Sequence, residues 1–585
     1  MNSQIKSTEL KVIEENGIKV YVAKDHLSPE RTTTFFNPKM SKNRMLVLCA
    51  LSAAIQERNQ EKKGTNRMKC LDAFGATGIM ALQWKIHLGG SISVTVVDKN
   101  PAAVSNVKKN CALNSLMAAT KFSSSHGERT EDEVEKVTMT NREDSKNPVE
   151  TSIERRKEVD GENFVRTEMC GASDRDADTK SNIKGDLNDS LRSSQKEKSG
   201  LAADAVPVAA ARKLEIICCD ANLVMRQRYF DFICPHLLAI FTSHLDPYGC
   251  ATPFLDSAFS NISSGGVLSI TSTDTAALYG QCPQVTRRHY GGQVAKCEYL
   301  KELSARLVIA AAVGAAARCN KGVEVLACVA VEHFVLVILR VRRGAGQADR
   351  SVGLVKHVLH CQMCKERCFV DNSLTVPSSL YPLLSCSCHQ NSPGKTAILL
   401  GPVWSGGIYD PEFVGAMKTA GTALNRKGSH VHLLQTLYSE AVCSSLPSHT
   451  DATSARRTEG AKPNEETGTE GCDVVERPLA AHAAQEDVSG ARSVESDEED
   501  LQPKRKRRKE GCKEDCAGQP AFFFSMPSHS VKDTDCPKIS HLINCLQEKG
   551  FRASRTHFDP QGVRTDAGLA EFQAILREIS SPTQK

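Results

Sequence analysis

Short apolar runs alternate with helical patterns over much of the chain. The segment "KCLDAFGATGIMALQW" (69–84) combines an apolar run, a turn containing glycine and a helical pattern, and the segment 91–114 repeats the order of strand, acidic residue and helix. Further apolar runs predict strands at 214–222, 230–233 and 265–274, and two long buried strands within 324–343. Strands that alternate with helices predict a parallel or mostly parallel α/β sheet with helices on both faces, whose ligands bind at the carboxyl ends of the strands.

Two polar stretches interrupt this pattern. Residues 123–212 and 446–518 are rich in Ser, Glu, Asp and Lys and contain few aromatic residues. Segments of this composition cannot bury enough apolar surface to offset the entropy of ordering the chain, so both are predicted to be disordered. The remaining residues predict a first α/β domain, formed by 1–122 and 213–345, and a C-terminal α/β domain, formed by 346–445 and 519–580.

Length and composition agree with this division. At 585 residues the chain is too long for one hydrophobic core, and its 40% hydrophobic and 24% charged content suits a globular protein. The net charge of +5 permits a nucleic-acid partner without arguing for one. The N-terminus lacks a signal-peptide pattern, and no run of about 18 uncharged apolar residues occurs, so neither secretion nor a membrane span is expected. The 23 cysteines are therefore predicted to be mostly free thiols, with any tight cluster a metal site.

An acidic residue and two glycines form the first candidate ligand site. In "DAFGATG" (72–78), Asp72 ends a predicted strand, while Gly75 and Gly78 allow the backbone to turn tightly and to approach a ligand. The dinucleotide fingerprint G-x-G-x-x-G is absent. The combination is instead typical of the first motif of methyltransferases that use S-adenosylmethionine (SAM).

Two further acidic residues predict where the rest of that cofactor binds. Asp98 ends the second strand, about 20 residues on, where a carboxylate can hold the hydroxyl pair of a ribose. Asp220, followed by Ala221, ends another strand and is placed to hold the adenine amino group. The alternative is that these acidic side chains merely cap helices. Because all three acidic residues end strands of one predicted sheet, we favour the cofactor site.

The turn "HLDPYG" (His244–Gly249) is similar to the D/N-P-P-Y/F turn of enzymes that methylate exocyclic amines. The amine of a base is a poor nucleophile, and Asp246 could accept a hydrogen bond from its N–H and take up the departing proton. Pro247 fixes the backbone, so that a carbonyl can accept the other hydrogen, and Tyr248 could stack on the base. The alternative is an ordinary Asp-Pro turn, which is common in loops.

Two cysteine pairs predict a structural zinc site. Cys361 and Cys364 form a C-x-x-C, and Cys386 and Cys388 form a C-x-C 22 residues further on. Close pairs at this spacing fit tetrahedral zinc. The alternatives are a redox C-x-x-C or unlinked thiols, and Cys368 and His389 are spare ligands.

Many motifs in order resemble one known family, the tRNA guanine N2-dimethyltransferases. The resemblance covers both folded regions, roughly 30–122 and 213–580, and excludes the two polar stretches. It implies a class I SAM-dependent methyltransferase (Rossmann-like) domain and a C-terminal α/β domain that carries zinc and helps to grip tRNA. The motifs are "FFNPKMSKNR", "LDAFGATGIMALQW", "CDAN", "HLDPYG", "FLDSAFSNI", "TSTDTAALYG", "RRHYG", "ARCNKGVEVL", "EHFVLVILRV", "PGKTAILLGPVWSG" and "SRTHFDPQGVRTDA".

The resemblance also implies a role for individual residues. Asp246 would be the catalytic acid–base, with Pro247 in its turn, and Phe35 and Tyr248 would sandwich a flipped guanine. The target would be the exocyclic N2 of a guanosine at the junction of the D and anticodon arms, roughly at nucleotides 26–27, with either one methyl or two added. The partner would be tRNA, with neither DNA nor a membrane expected. Residues at the cofactor would be Arg44, Asp72, Gly75, Gly78, Asp98, Asp220 and Ala221.

One segment departs from the family pattern. Joining Ile233 to His244 would restore "FDFIHLDPYG", so "CPHLLAIFTS" (234–243) is predicted to be an insertion in the active-site strand. It is either a gene-model artefact, which we favour, or a real insertion that loops out without moving Asp246. A catalytically weakened tRNA-binding protein, acting as an RNA chaperone or scaffold, is therefore the main alternative. A third alternative is methylation of another base amine, such as adenine N6.

Basic residues indicate a localisation signal and a surface that binds RNA. The run "PKRKRRKE" (503–510) predicts localisation in the nucleus and its nucleolus, with a solvated charge run as the alternative. Arginines can match phosphate in a fork. The candidates for phosphate contacts are Arg287, Arg288, Arg342, Arg343, Arg552, Arg555 and Arg564.

Overall fold

The structure of this chain is a computed structural model. The described residues are 10–23, 36–61, 67–124, 127–130, 212–234, 249–371, 381–392, 397–424, 429–445, 522–530 and 534–582. Within these ranges no helix has both the length and the apolar content needed to cross a bilayer.

The described strands form five sheets. In chain order they are β1 (Leu10–Glu15), β2 (Ile18–Ala23), β3 (Met68–Asp72), β4 (Ile92–Asp98), β5 (Met117–Ser124), β6 (Gly127–Thr130), β7 (Lys213–Cys218), β8 (Phe230–Cys234), β9 (Ile262–Ser272), β10 (Lys321–Val331), β11 (Phe334–Arg343), β12 (Val355–Cys361), β13 (Arg367–Val370), β14 (Ala397–Trp404), β15 (Phe524–Ser525), β16 (Thr534–Asp535), β17 (Ala553–Arg555), β18 (Gly562–Thr565) and β19 (Ser581–Pro582).

Helices separate most of these strands. In chain order they are α1 (Ser41–Gln60), α2 (Ile79–Leu88), α3 (Pro101–Leu113), α4 (Ala221–Gln227), α5 (Thr252–Asn261), α6 (Thr275–Leu278), α7 (Pro283–Tyr290), α8 (Leu300–Arg318), α9 (Ala345–Gly353), α10 (Cys388–Asn391), α11 (Pro411–Leu424), α12 (Ser429–Ser444), α13 (Met526–His529), α14 (Ile539–Glu548) and α15 (Leu569–Ile579), with 3-10 turns at Pro38–Met40, Gly89–Ser91 and Tyr381–Leu383.

The central sheet is mostly parallel, as the alternating pattern predicts. Within the described residues its order is β10-β11-β9-β8-β3-β4-β7-β5-β6. The pairs from β9 through β8, β3, β4 and β7 to β5 are parallel, and the outer strands β11, β10 and β6 are antiparallel. Asp72 lies opposite both Val96 and Cys234, and Asp98 lies opposite Cys218. The acidic ends of β3 and β4 therefore meet at one edge of the sheet, its carboxyl edge.

Helices cover both faces of this sheet. Neighbouring residues on one strand, such as Val96 and Val97, belong to two different hydrophobic clusters, because successive side chains point to opposite faces. One cluster contains apolar side chains of α1, α2, α3, α11 and α12, and the other contains those of α4, α5 and α8. Since α11 and α12 lie after residue 345, side chains from both predicted domains share one core.

A network of buried charges also joins the two parts of the chain. On α8, Glu302 accepts hydrogen bonds from Arg306 Nε at 3.0 Å and from Arg564 Nη2 at 2.6 Å. On α12, Glu440 accepts from Arg564 Nε at 2.9 Å, and its other oxygen lies 2.7 Å from His557 Nδ1. Arg564 on β18 is 0% exposed, so its prediction as a phosphate contact is wrong. Its guanidinium instead neutralises two buried carboxylates.

Candidate functional site

The loop after β3 has the close packing that its glycines predict. Gly75 N donates to Val97 O at 2.8 Å, and Gly78 has a φ of +76°, a conformation that favours glycine. A Cβ atom on Gly75 would lie 2.3 Å from Val96 Cγ1, so the loop backbone sits directly on β4. Helix α2 begins at Ile79, immediately after this loop. The loop therefore presents the backbone of its two glycines at the carboxyl edge of the sheet.

Asp98 connects this loop to the next helix. Its Oδ2 accepts a hydrogen bond from Ala76 N at 2.9 Å, and its Oδ1 accepts from Asn100 N at 2.8 Å. Burial raises the pKa of this carboxyl, although the two backbone N–H groups lower it. Each carboxylate oxygen has a second lone pair, so Asp98 can still accept hydrogen bonds from a diol.

Asp72 is a deeply buried carboxyl group at this edge. It is 2% exposed, and burial raises its pKa to about 7, with repulsion from Asp98 adding to the effect and backbone N–H groups of Phe74 and Ala81 opposing it. A cationic ligand nearby would stabilise the ionised form of Asp72. This part of the site therefore suits a ligand that carries positive charge, such as a sulfonium or an ammonium.

Asp220 caps a helix in the structure. Its side chain accepts a hydrogen bond from Asn222 N at 2.8 Å at the start of α4, and Ala221 beside it is buried. Cys219 N donates to Asp98 O at 3.2 Å, so the Asp220 segment lies next to Asp98. In this structure the side chain of Asp220 therefore caps α4, as the alternative interpretation predicts. Its position beside Asp98 is compatible with an adenine contact, which stays a prediction.

Arg44 is buried and has a partly buried carboxylate as its partner. Its Nε and Nη2 donate to the two oxygens of Glu15 at 2.7 and 2.5 Å, and its Nη1 lies 3.2 Å from the carbonyl of Asn37. Gln83 on α2 donates to the same Glu15 at 2.9 Å. This cluster joins β1 to α1 and α2 near the glycine loop. The cofactor contact of Arg44 stays a prediction. Its guanidinium would have to bind the cofactor and Glu15 at the same time.

The predicted catalytic residues Phe35, Asp246, Pro247 and Tyr248 lie outside the described residues, as do 235–243 of the predicted insertion. Both ends of the 235–248 segment are described. Cys234 O accepts from Ala73 N at 3.3 Å, next to the glycine loop. Gly249 N donates to Thr273 Oγ1 at 3.1 Å, and Thr273 N donates to Gly249 O at 3.1 Å. The segment that contains the D-P-Y-G turn therefore starts and ends at the carboxyl edge.

Polar groups surround the end of β9. The sequence analysis included these residues in family motifs but assigned them no role. Asn43 Nδ2 on α1 donates to Thr271 Oγ1 at 3.1 Å, and Tyr290 OH donates to Asp274 Oδ1 at 2.7 Å. The sequence feature that could have identified these polar groups is "TSTD" at the end of an apolar strand, because residues at the carboxyl end of a parallel strand lie at the ligand edge of the sheet.

The four predicted zinc ligands are brought together. One ligand atom from each of Cys361, Cys364, Cys386 and Cys388 lies within 4.8 Å of the other three. Cys361 ends β12, Cys364 follows in a tight turn in which Lys365 has a φ of +72°, and the second pair lies at the start of α10. Cys368 is outside this group and donates to Leu383 O at 3.5 Å. Four thiols at this spacing fit a tetrahedral ion.

Comparisons with known proteins agree with the family that the motifs indicate. A family model described as N2,N2-dimethylguanosine tRNA methyltransferase matches residues 10–136, 204–457 and 478–577. Proteins named tRNA (guanine(27)-N(2))-dimethyltransferase from Rattus norvegicus and Homo sapiens are each 34% identical over 573 and 579 residues, which is 98% of this chain and 64% of each relative. A protein named tRNA (guanine(26)-N(2))-dimethyltransferase from Methanothermobacter thermautotrophicus is 25% identical over 361 residues, 61% of this chain and 70% of that protein.

A solved structure shares the fold. The complex of Trm1 from Pyrococcus horikoshii with S-adenosyl-L-methionine superimposes with a TM-score of 0.54 at 18% identity, over 97% of this chain and 100% of that one. The predicted fold class is confirmed. This chain spans 64% of the length of the rat and human relatives, and the family match covers most of its residues. The chain belongs to the N2,N2-dimethylguanosine tRNA methyltransferase family.

Proposed function

We propose that this protein is a SAM-dependent methyltransferase that adds one or two methyl groups to N2 of a guanosine at the junction of the D and anticodon arms of tRNA, roughly at nucleotide 26 or 27. The observation that carries the proposal is the carboxyl edge of the sheet. There the glycine loop and Asp98 form a cradle next to Cys234, and Gly249 pairs with Thr273 at the same edge, so the D-P-Y-G segment starts and ends at this edge. The names of the relatives supply the substrate class.

The cofactor would lie across β3, β4 and β7. When bound, SAM supplies a methyl group on a sulfonium. The backbone of Gly75 and Gly78 would allow close approach, Asp98 would accept from the ribose hydroxyls, and Asp220 with Ala221 would contact the adenine. Asp72 would be ionised beside the positive charge, which offsets the cost of burying its carboxylate.

The substrate base would bind against the segment between β8 and β9. Asp246 would accept the N2 hydrogen and take up the proton released on methyl transfer. Pro247 would orient a backbone carbonyl toward the other hydrogen, and Phe35 and Tyr248 would stack on the extruded guanine. Extruding the base costs a few kcal/mol, which stacking and hydrogen bonds in the pocket repay.

We expect Asp246→Asn to lower the initial rate of methyl transfer by at least about 100-fold, because an amide cannot take up the proton. The measurement is transfer of labelled methyl from SAM to unmodified tRNA, followed by identification of the nucleoside. Asp256→Asn is the matched control, since Asp256 is exposed and pairs with Arg318 on the surface. It should stay within about twofold of the unchanged chain. Equal rates for both variants would remove Asp246 from the mechanism.

A version that lacks 234–243 tests the insertion in the same assay. If the unchanged and shortened chains both produce N2-methylguanosine, the function holds and the insertion is tolerated. If only the shortened chain is active, the family assignment holds and the decapeptide prevents activity. A 1 Å displacement of the catalytic residues can cost on the order of 100-fold in rate. If neither is active while both bind tRNA, the scaffold alternative replaces our proposal.

We also propose that Cys361, Cys364, Cys386 and Cys388 hold one structural Zn²⁺. Cys364→Ser is expected to remove one zinc ion per chain, because three thiolates bind far more weakly than four. Cys368→Ser is the matched control, since Cys368 lies nearby but outside the group. The measurement is zinc per chain by elemental mass spectrometry, with the melting temperature recorded alongside. Equal zinc content in the two variants would contradict the assignment.

The basic run at 503–510 lies outside the described residues, and its nuclear and nucleolar localisation stays a prediction.

A further inference from the structure

A second group of metal-ligating side chains lies where α7 and the end of β9 meet the residue after the D-P-Y-G turn. Cys250, Asp274 and His289 each bring one ligand atom to within 4.8 Å of the other two. Cys250 and Asp274 are buried, and His289 is partly exposed. None of the three has a role in the proposed methyl transfer, and none belongs to the four-cysteine group.

The carboxylate of Asp274 is held in one orientation. Its Oδ1 accepts the hydroxyl hydrogen of Tyr290 at 2.7 Å. Its Oδ2 is buried and makes no hydrogen bond with any described residue, and the nearest charged partner is His289 Nδ1 at 3.6 Å. A separation of 3.6 Å is too long for a hydrogen bond. Asp274 precedes α6 without capping it, so this oxygen has no structural task within the described part of the chain.

His289 completes a polar surface around the same point. Its Nδ1 is buried and, among the described residues, has no hydrogen-bond partner, although the ring faces the carboxylate. Cys250 Sγ lies 3.0 Å from Thr252 Oγ1. The carboxylate oxygen and the imidazole nitrogen face each other at the distance of an ion pair, and the thiol of Cys250 lies within 4.8 Å of both, so one ion among the three atoms would bind all of them.

We infer that Cys250, Asp274 and His289 form a site for a borderline-soft divalent ion such as Zn²⁺ or Co²⁺. One sulfur, one nitrogen and one oxygen ligand suit such an ion, and a three-residue set leaves its fourth position open. The hydrogen bond from Tyr290 orients the carboxylate in the way that outer partners of metal ligands commonly do. The ion would connect the residue after Gly249 to β9 and α7.

This site would place a metal two residues from Tyr248 in the sequence. Gly249 already makes two hydrogen bonds with Thr273, one from its N–H to Thr273 Oγ1 and one from Thr273 N–H to its carbonyl. Binding would therefore fix the downstream end of the D-P-Y-G segment to the sheet. The inference does not depend on methyl transfer, because its test measures metal content.

The test is a titration of the full chain with Co²⁺, after a weak chelator has removed zinc from the three-ligand site and left it on the four cysteines. Cobalt bound through a thiolate gives a charge-transfer absorption, and elemental mass spectrometry counts zinc and cobalt in each sample. We expect one Co²⁺ per chain that binds without displacing zinc from the four-cysteine group. Cys250→Ser and His289→Gln should each weaken this binding at least about tenfold.

Cys282→Ser is the matched control, because Cys282 is exposed, begins α7 and is outside the group. It should bind cobalt as the unchanged chain does. His289→Gln changes a partly exposed residue, so it separates loss of a ligand from loss of folding, which the melting temperature checks. Cobalt uptake that is unchanged in Cys250→Ser, or the absence of cobalt uptake by the unchanged chain, would overturn the inference.

Discussion

Arg564→Met is expected to lower the free energy of unfolding by about 3–5 kcal/mol at neutral pH, because it leaves Glu302 and Glu440 buried with fewer positive partners. Methionine keeps much of the volume, so the loss reports the charge. The measurement is urea unfolding of the full chain. Arg318→Met is the matched control, because Arg318 pairs with Asp256 on the surface, where the two side chains are 63% and 50% exposed. It should cost no more than about 1 kcal/mol.

The same variant should change the response to acid. Burial raises the pKa of Glu440, but the charges of His557 and Arg564 outweigh it and lower the pKa from 4.5 to about 2. A lowered carboxyl pKa stabilises the fold above pH 4.5, and this contribution is lost as the pH falls toward 2. Without Arg564 the pKa of Glu440 should rise, so acid unfolding should begin at a higher pH. An unchanged acid limb together with an unchanged urea midpoint would show that the network contributes little net stability.

Gly75→Ala is expected to weaken SAM binding by about 100-fold while the chain still folds. The new methyl group would lie 2.3 Å from Val96 Cγ1, so the loop must move away from β4 and lose the bond from Gly75 N to Val97 O. Isothermal titration with SAM measures the affinity. Gly90→Ala is the matched control, because a Cβ there meets no atom within 4 Å, and its affinity should be unchanged.

A double variant identifies the cause. Val96→Ala removes the methyl group that the new Cβ would contact, so Gly75→Ala with Val96→Ala should recover part of the lost affinity. Val96 is buried, so both double and single variants need a melting curve to confirm folding. Recovery supports the steric account. If the double variant binds no better than Gly75→Ala, the glycine acts through backbone freedom alone.

The local parts of this protein were predictable from sequence. Alternating apolar runs predicted the parallel strands, and "DAFGATG" predicted a loop against β4, because only glycine permits that approach. The paired cysteines predicted their cluster for a similar reason, since short spacings on turns place thiols together.

The long-range ion pairs were not predictable in this way. Glu302 and Arg564 are 262 positions apart, and no periodicity links them, so Arg564 was predicted to contact phosphate. Glu15 and Arg44 are closer in sequence, but their pairing depends on how β1 packs against α1. A charge in an otherwise apolar strand, such as Arg564 in "GVRT", is as consistent with a ligand contact as with a buried partner. Only the tertiary packing distinguishes the two.

The separation between Glu302 and Arg564 also sets an order of events on the ribosome. Glu302 is synthesised 262 residues before its partner, which at roughly 5–20 residues per second is a delay of roughly 10–50 s. During that interval α8 has Arg306 beside Glu302, and Glu440, which precedes Arg564 by 124 residues, is synthesised before the guanidinium that later joins the two carboxylates. The last α/β segment therefore completes a core begun much earlier, and the nascent chain should depend on chaperones until Arg564 has emerged.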